Sequence, residues 1–127
     1  MSERRAFKRA SLAATAIALI GLGASGASAS SSSLTVVERA TTAMIDEGLR
    51  ILDEGIAARP SDIDLVMLHG YAFPRWRGGL MHYADGVGLA TLRDRITGYA
   101  AQDPLSWSVP PLLDRLLAKG RRLSDLD

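Results

Sequence analysis

The chain has 127 residues, of which 47% are hydrophobic and 6% aromatic, and it contains no cysteine. This length suits one ordinary domain and leaves no room for a full nucleotide-binding domain beside a second domain. The lack of cysteine excludes disulfides, thiolate nucleophiles and cysteine-ligated zinc or iron–sulfur sites, and a core with so few rings favours small helices over a β-sandwich.

The net charge of +1 is unevenly distributed along the chain. Residues 1–33 hold four basic side chains and one acidic one, whereas residues 34–127 hold 11 basic and 13 acidic ones. The alkaline isoelectric point therefore comes from the first segment, and the rest of the chain has no basic footprint for nucleic acid. This distribution predicts that nucleic acid is not a partner.

The first 33 residues have the three-part pattern of an export signal. Residues 1–9 are basic, residues 10–22 are apolar, and Ala27-Ser28-Ala29 offers the small side chains that a signal peptidase requires. The run Arg4-Arg5-Ala6-Phe7-Lys8 also resembles a twin-arginine signal, without its expected second apolar residue after the pair. We predict a signal-like leader and Ser-rich linker over 1–33, and hence a periplasmic or secreted protein. The alternative is a disordered segment or a wrongly assigned start of translation.

A G-x-G-x-x-G pattern lies inside this leader, at Gly21-Leu22-Gly23-Ala24-Ser25-Gly26. In a dinucleotide site the third glycine opens a helix whose N-terminus holds the pyrophosphate. Here a serine run over 30–33 follows, and no second strand comes at the distance of a βαβ unit. We therefore interpret the glycines as part of the leader and predict that this chain binds no dinucleotide cofactor.

A long amphipathic helix is predicted over about 34–57, with Ser33 as its N-cap. Arg50 has Asp46 four residues before it and Glu54 four residues after it, which favours ion pairs along the polar face. The apolar face carries residues at helical spacing, namely Val37, Ala40, Thr41, Met44, Gly48, Ile51, Leu52 and Gly55. The opposite face carries the charged residues Glu38, Arg39, Asp46, Glu47, Arg50, Asp53 and Glu54.

Shorter helices follow in the rest of the chain. A capping box in which Ser61 caps and Asp64 reaches back opens a helix that ends near Leu68. The next helices are expected over Leu80–Asp85, closed by Gly86, and from Leu89 to about Gly98. A loop over 100–110 buries Trp107, and a last helix begins at Pro111 and ends at Gly120. That helix buries Leu112, Leu113, Leu116 and Leu117, and the polar tail over 121–127 is expected to fray.

Several spaced motifs in this region resemble one known family. They are Leu52-Asp53-Glu54-Gly55-Ile56-Ala57, Pro60-Ser61-Asp62-Ile63-Asp64, the run Gly70-Tyr71-Ala72-Phe73-Pro74-Arg75-Trp76-Arg77-Gly78-Gly79, and Tyr83-Ala84-Asp85. Together they resemble the C-terminal domain of 3-hydroxyacyl-CoA dehydrogenase, in its terminal copy in the multifunctional fatty-acid β-oxidation enzymes. The resemblance covers about 34–120. It implies an all-α helical bundle like the 6-phosphogluconate dehydrogenase C-terminal-like domain, and a cytoplasmic enzyme.

The resemblance also implies where the family's chemistry lies. In that family an N-terminal Rossmann domain binds NAD and supplies the catalytic histidine, with a glutamate that orients it. The helical copies complete the acyl-CoA cleft or pack as a buttress, and the terminal copy imitates the subunit contact of the dimeric dehydrogenases. NAD therefore belongs to a domain that this chain lacks. Asp46 departs from the family, which usually has Asn before the pair that is Glu47-Gly48 here. That change puts any polar contact carried over to this position in doubt.

His69 and His82 are the only histidines. His82 has Asp85 one helical turn ahead, so an imidazole–carboxylate pair is expected as a surface pair or a cap, and less readily as a general base. His69 lies at a helix end, where it could bond a free carbonyl. Two histidines without a third ligand make a poor metal site. We predict no catalytic and no metal-ligating residue in this chain.

The strongest candidate contact is Arg75-Trp76-Arg77, in a loop followed by Gly78-Gly79. Arginine and tryptophan dominate protein-contact energies, and arginine also suits the phosphates of CoA. We favour contact with another protein domain over contact with CoA. In the structural alternative, Phe73 and Trp76 wedge between helices while the arginines bind carbonyls or the carboxylates of Asp62 and Asp64.

Two kinds of function remain open from the sequence. In the first, the chain is the terminal helical domain of a 3-hydroxyacyl-CoA dehydrogenase, inactive alone, which packs on a nucleotide-binding half or self-associates. In the second, it is an exported small helical protein with a binding or structural role, and a gene remnant is a third possibility. The helix over 34–57 and the last helix carry more apolar residues than a chain of this size covers from one side. We therefore expect an exposed partner surface near Trp76.

Overall fold

The computed structural model describes the backbone of residues 31–127 and the side chains from Thr35 onward. Residues 31–127 contain helices and no strand, so the predicted all-α class is confirmed for this part of the chain. The predicted leader and its glycine pattern lie outside it. The helices are α1 (Ser31–Asp53), α2 (Pro60–Gly70), α3 (Leu80–Val87), α4 (Leu89–Gln102) and α5 (Pro111–Ala118), with the 3₁₀ turns η1 (Arg75–Arg77) and η2 (Leu123–Leu126).

One core joins all five helices. Its aliphatic side chains are almost completely removed from solvent, and Trp107 from the loop before α5 joins them as predicted, with 8% of its surface exposed. The Trp107 ring lies 4.8 Å from that of Tyr99, and the Arg39 guanidinium covers both. The innermost members are Ile45 and Leu49 on α1, Met81 on α3, Leu92 and Ile96 on α4, Leu113 on α5, and Leu123 on η2.

Helix α1 is shifted toward the N-terminus relative to the prediction. Ser33 lies inside the helix and not at its N-cap. At the other end the helix stops at Asp53, because Gly55 adopts a φ of 71° and lets the Ile56 N–H reach the carbonyl of Ile51 at 3.0 Å. This left-handed glycine closes the helix four residues before the predicted end at 57.

Helix α2 begins with a cap that is formed by residues other than the predicted ones. Pro60 is the first helical residue, and the Arg59 N–H donates to the carboxylate of Asp62 at 3.1 Å. The predicted box of Ser61 and Asp64 is therefore wrong. Asp62 takes the role because it stands three residues after the true N-cap, which leaves Asp64 free to serve another helix.

Two glycines expected to end helices lie within them. Helix α3 continues through Gly86 to Val87 and ends where Gly88 has a φ of 95°. Helix α4 continues through Gly98 to Gln102, so the predicted loop over 100–110 is shorter than expected. In α4 the turn beyond Gly98 persists because Tyr99 and Ala100 pack on the core. Packing of this kind outweighs the cost of glycine in a helix, about 1 kcal/mol.

The end of the chain packs on the bundle. Helix α5 begins at Pro111 and buries Leu112, Leu113 and Leu116 as predicted, while Leu117 is half-buried. Gly120, with a φ of 60°, follows the helix. The expectation of a frayed tail over 121–127 is wrong, because Leu123 is fully buried and η2 lies against α3.

Candidate functional site

The loop between α2 and α3 presents an exposed tryptophan. Phe73 is buried in the core, as the structural alternative expected, but Trp76 does not wedge between helices, since 79% of its surface is exposed. The Arg75 side chain is also exposed, and no ion pair or side-chain hydrogen bond involves it within the described residues. Trp76 is therefore exposed, as expected for a contact with another protein domain. Phe73 is buried, as expected for a residue that packs between helices.

Arg77 is held between two rings. Its guanidinium lies 4.4 Å from the centre of the Trp76 ring and 4.4 Å from the centre of the Tyr83 ring. Its Nε is buried and has no hydrogen-bond partner, alone among buried side-chain nitrogen and oxygen atoms of the part of the chain that the structure describes. The alternative in which these arginines bind Asp62 or Asp64 is wrong, because those carboxylates bind Arg59 and the backbone of α3.

His82 does not pair with Asp85. The carboxylate of Asp85 is almost fully buried and accepts the N–H groups of Leu123 at 2.8 Å and of Ser124 at 2.9 Å. The His82 side chain is exposed, and its ring lies so close to Gly78 that a Cβ there would come within 2.5 Å of it. The predicted imidazole–carboxylate pair is wrong because η2 occupies the carboxylate.

Asp46 is an internal anchor and not a surface contact. Only 3% of it is exposed, which corrects its placement on the polar face of α1. Both oxygens accept from Arg50, at 3.1 and 3.2 Å, and Arg50 also donates to the carbonyl of Ser108 at 2.6 Å. The predicted pair of Asp46 and Arg50 is confirmed, and it ties α1 to the loop that precedes α5. The carboxylate is therefore buried and bound within the domain.

Three carboxylates converge on the other side of α3. Asp64, Asp85 and Asp127 line a cavity of about 50 Å³ together with His82. Asp64 accepts the N–H groups of Met81 at 2.6 Å and of His82 at 3.1 Å. Burial raises the pKa of Asp64, against the lowering effect of these two N–H groups. Among the described residues, no group of three or more histidine, aspartate or glutamate side chains has the arrangement of a metal site.

An apolar groove lies between α1 and α2. It has a volume of about 670 Å³, and its rim includes Ile56 and Val66, which are 72% and 57% exposed. Its floor reaches Gly48, where the lack of a side chain admits the end of Met81. The charged residues that line it, Glu47 and Asp62, are both acidic. The remaining lining residues are Met44, Ile51, Ala57, Ala58, Ile63, Met67, Tyr71 and Leu80.

Comparison with known proteins decides the family. The model of the family described as "3-hydroxyacyl-CoA dehydrogenase, C-terminal domain" matches residues 36–124, which is most of the chain and nearly all of the described part. This chain belongs to that family. The resemblance that the sequence motifs indicated is thereby confirmed, and the exported binding protein is the less favoured alternative.

The chain spans only about a tenth of the length of the curated relatives it matches. The chain is 49% identical over 69 residues to the human peroxisomal bifunctional enzyme and 45% identical over 87 residues to that of Danio rerio. It is 42% identical over 67 residues to the fatty acid oxidation complex subunit alpha of Shewanella putrefaciens. These matches cover 54%, 67% and 53% of this chain but only 10%, 12% and 10% of the relatives.

The exposed loop is predictable from the sequence, whereas the groove is not predicted. The predicted apolar face of the first helix contains Met44, Gly48 and Ile51, all of which line the groove. The last helix, which was expected to expose apolar surface as well, is instead covered. A useful signal was Ile63 and Val66, three residues apart on α2, which face the same space from the other side. Among the described helices, none has the length and continuous apolarity that a membrane span requires.

Proposed function

We propose that this chain is a non-catalytic docking domain of a 3-hydroxyacyl-CoA dehydrogenase. It packs against a nucleotide-binding half, supplied either by another protein or by another part of a longer chain. The groove between α1 and α2 carries this proposal, because Ile56 and Val66 leave apolar surface in water that a partner would cover. Family membership and the much greater length of the relatives support the choice of partner.

The shape and lining of the groove favour a helix of the partner as its occupant. Two helices flank a groove whose lining is mostly aliphatic, which is the geometry in which an amphipathic helix lays its apolar face. Burial of each large apolar side chain contributes about 1.5–3 kcal/mol, and micromolar binding requires several of them to be buried on both sides of the contact, because association itself costs at least about 4 kcal/mol.

The dehydrogenase chemistry belongs to the partner in this proposal. The described helices do not fit NAD, since a dinucleotide site needs a strand, a glycine-rich turn and a helix in succession, and residues 31–127 contain no strand. Only the resemblance to the family suggests that acyl-CoA is bound near this domain. In this proposal the chain contributes packing, and the partner supplies the cofactor site.

The domain limits and the location of the protein stay predictions. The helical domain over 34–120 and its likeness to the 6-phosphogluconate dehydrogenase C-terminal-like domain belong to this proposal, as does the leader over 1–33. The leader favours export, whereas the family favours the compartment in which acyl-CoA and NAD are found. We propose that the family determines the site of action, and that residues 1–33 contribute nothing to docking.

Docking is tested with a relative from which the matching segment has been removed. The partner is the Danio rerio peroxisomal bifunctional enzyme without the region aligned to this chain, and binding of the full 127-residue chain is measured by isothermal titration calorimetry. Val66→Asp and Ile56→Asp should each weaken binding at least tenfold, because they place a carboxylate in the apolar contact. Leu105→Asp is the matched control, since Leu105 is 82% exposed and lies outside the groove.

The outcomes separate the possible occupants. Loss of binding in both groove variants with an unchanged control supports the proposal. No binding of the unaltered chain at about 50 µM, or equal binding by all variants, contradicts it, since 50 µM is weaker than the micromolar range expected from these contacts. Sedimentation velocity without the partner is run in parallel. A dimer that the groove variants dissociate, combined with no affinity for the dehydrogenase, assigns the groove to a second copy and overturns the proposal.

A further inference from the structure

The stacked guanidinium of Arg77 has a fixed orientation. A guanidinium between two aromatic rings loses part of the conformational freedom of its long side chain. The rings of Trp76 and Tyr83 thereby fix the plane in which the N–H groups of Arg77 lie. Tyr83 is half-buried on α3, so the stack is attached to the bundle and not only to its own loop. An arginine that is oriented before binding loses less entropy when it forms paired hydrogen bonds with a carboxylate.

The positive charge of this loop has no counter-ion within the described residues. Neither Arg75 nor Arg77 forms an ion pair there, and the buried Nε of Arg77 lacks an acceptor. The carboxylates on the neighbouring helices have other partners. Asp62 binds Arg59, Asp64 binds the N–H groups at the start of α3, and Asp85 binds those of η2.

We propose that η1 is a second docking surface, which binds a carboxylate-bearing segment of the partner dehydrogenase half. One or two aspartate or glutamate side chains of the partner accept hydrogen bonds from Arg75 and Arg77, and an apolar side chain packs on the exposed face of Trp76. This inference rests on the proposed function and adds the chemistry of a contact away from the groove. Tryptophan and arginine are the residue types most enriched among interface hot spots.

A protein segment fits this surface better than a small phosphate ligand does. Small ligands are held in concave sites that cover most of their surface. Trp76 is 79% exposed and lines neither the groove nor the cavity beside α3. An exposed indole between two arginines protrudes from the domain, so a partner protein can enclose it and exclude water from the contact.

The test compares variants of this loop in the calorimetric assay with the truncated Danio rerio enzyme. Trp76→Ala and Arg77→Ala should each weaken binding by more than about 30-fold, the ratio that corresponds to a hot spot of about 2 kcal/mol. Arg77→Lys keeps the charge but loses the planar fork, so it should recover only a small part of the affinity. Lys119→Ala is the charge-matched control on an exposed side chain far along the sequence, and it should bind like the unaltered chain.

Salt dependence separates a carboxylate contact from a purely apolar one. Raising the salt from 50 to 500 mM should weaken the unaltered chain and Lys119→Ala, whereas the double variant Arg75→Ala/Arg77→Ala should respond much less. Helix content measured by circular dichroism should be the same in all variants, because these side chains lie outside the buried core. A variant that loses helix content is replaced in the comparison by Trp76→Phe, which keeps a ring on Arg77 but reduces the exposed contact area.

The results distinguish this inference from the proposed function. If Val66→Asp abolishes binding while the loop variants bind normally, the groove proposal stands and this inference is wrong. If the unaltered chain does not bind at all, both are wrong. ADP is added as a probe for the phosphate alternative. Displacement of the dehydrogenase by ADP from the unaltered chain, together with direct ADP binding that Arg77→Ala removes, would assign the loop to a nucleotide and overturn the carboxylate proposal.

Discussion

The carboxylate of Asp64, in the middle of α2, lies 2.6 Å from the backbone nitrogen of Met81, in the first turn of α3. The same carboxylate accepts the N–H of His82, so one side chain satisfies two of the donors that the start of a helix leaves unpaired. No residue adjacent to α3 could do this, because Gly79 and Gly78 precede it and have no side chain. The cap comes from a different helix, which fixes α2 against α3.

Replacement of Asp64 should therefore destabilise the bundle through α3. Asp64→Ala removes both acceptors and should lower the free energy of unfolding by about 1–2 kcal/mol, the usual cost of a lost N-cap. Asp64→Asn keeps one acceptor oxygen and avoids the burial of a charge, so its effect should be smaller. Urea denaturation followed by circular dichroism measures both. Asp94→Ala, at an exposed aspartate on α4 that makes no described side-chain contact, should change the free energy of unfolding by less than about 0.5 kcal/mol.

Gly79 is constrained by the same contact. Its φ is 123°, and a Cβ would come within 2.3 Å of the Asp64 Cγ, so Gly79→Ala combines backbone strain with a clash. We expect a loss of at least about 2 kcal/mol, or failure to fold. Gly86→Ala is the matched control in α3, where nothing lies within 4 Å of the added Cβ, and it should raise stability by up to about 1 kcal/mol. Equal effects of the two substitutions in thermal unfolding would contradict this account.

The carboxylate of Asp127 should make stability depend on pH below about 4. It accepts the Ser61 N–H at 3.0 Å in the first turn of α2, and this hydrogen bond lowers its pKa below the ordinary value of 3.8. A lowered pKa means that the stabilisation is present above about pH 3.8 and is lost as the pH falls toward the pKa of the folded state. Because the carboxylate is near the surface, the effect is modest. Between pH 4 and 2.5, the melting temperature of Asp127→Asn should fall less than that of the unaltered chain. An equal fall in both would argue against a stabilising hydrogen bond from Ser61 to Asp127.

Removal of residues 1–30 should leave the helical unit intact. The buried clusters that hold the described bundle together are formed between Thr41 and Leu123. We expect the truncated chain to keep its helix signal in circular dichroism and to melt within about 4 °C of the full chain, which corresponds to less than about 1 kcal/mol for a domain of this size. A large fall in melting temperature would mean that the apolar stretch over 10–22 covers part of the bundle, and the leader interpretation would then be wrong.

The purified chain should not oxidise 3-hydroxybutyryl-CoA with NAD. Hydride transfer requires the nicotinamide to be held against the substrate carbon, and the described helices form no such cradle. NADH production is followed at 340 nm in protein freed of host dehydrogenases. Activity that co-purifies with the chain and persists in a host lacking its own dehydrogenase would contradict both this prediction and the docking role.

Local signals in the sequence were sufficient for most helices and insufficient for their caps. Pro111 and Gly120 bound α5 as expected, because a proline at the first turn and a left-handed glycine after the end act on their own neighbours. The predicted cap of α2 is wrong because both Asp62 and Asp64 stand near its start, and only the position of α3 shows that Asp64 serves another helix. The hydrophobic periodicity of the sequence does not reveal a cap that is supplied by a different helix.

In the candidate site, too, some features are predictable from the sequence and others depend on tertiary packing. The composition of Arg75-Trp76-Arg77 predicted an exposed contact, and Trp76 is indeed exposed. The helical position of Asp46 agrees with the charged face and predicts a surface carboxylate, whereas Asp46 is buried, and its partner Arg50 also binds the Ser108 carbonyl of the loop before α5. How a loop folds over a helix depends on the packing of Trp107, which the helical periodicity of α1 does not encode.

The three aspartates beside α3 form a closed cycle. Asp64 of α2 holds the start of α3, Asp85 of α3 holds the start of η2, and Asp127, directly after η2, holds the start of α2. None of these segments can detach without exposing the donors of the next, so local fraying of any one is coupled to the other two. In hydrogen exchange, the amides of Ser61, Met81 and Leu123 should open together with one free energy, although the first and the last of them lie 62 residues apart along the chain.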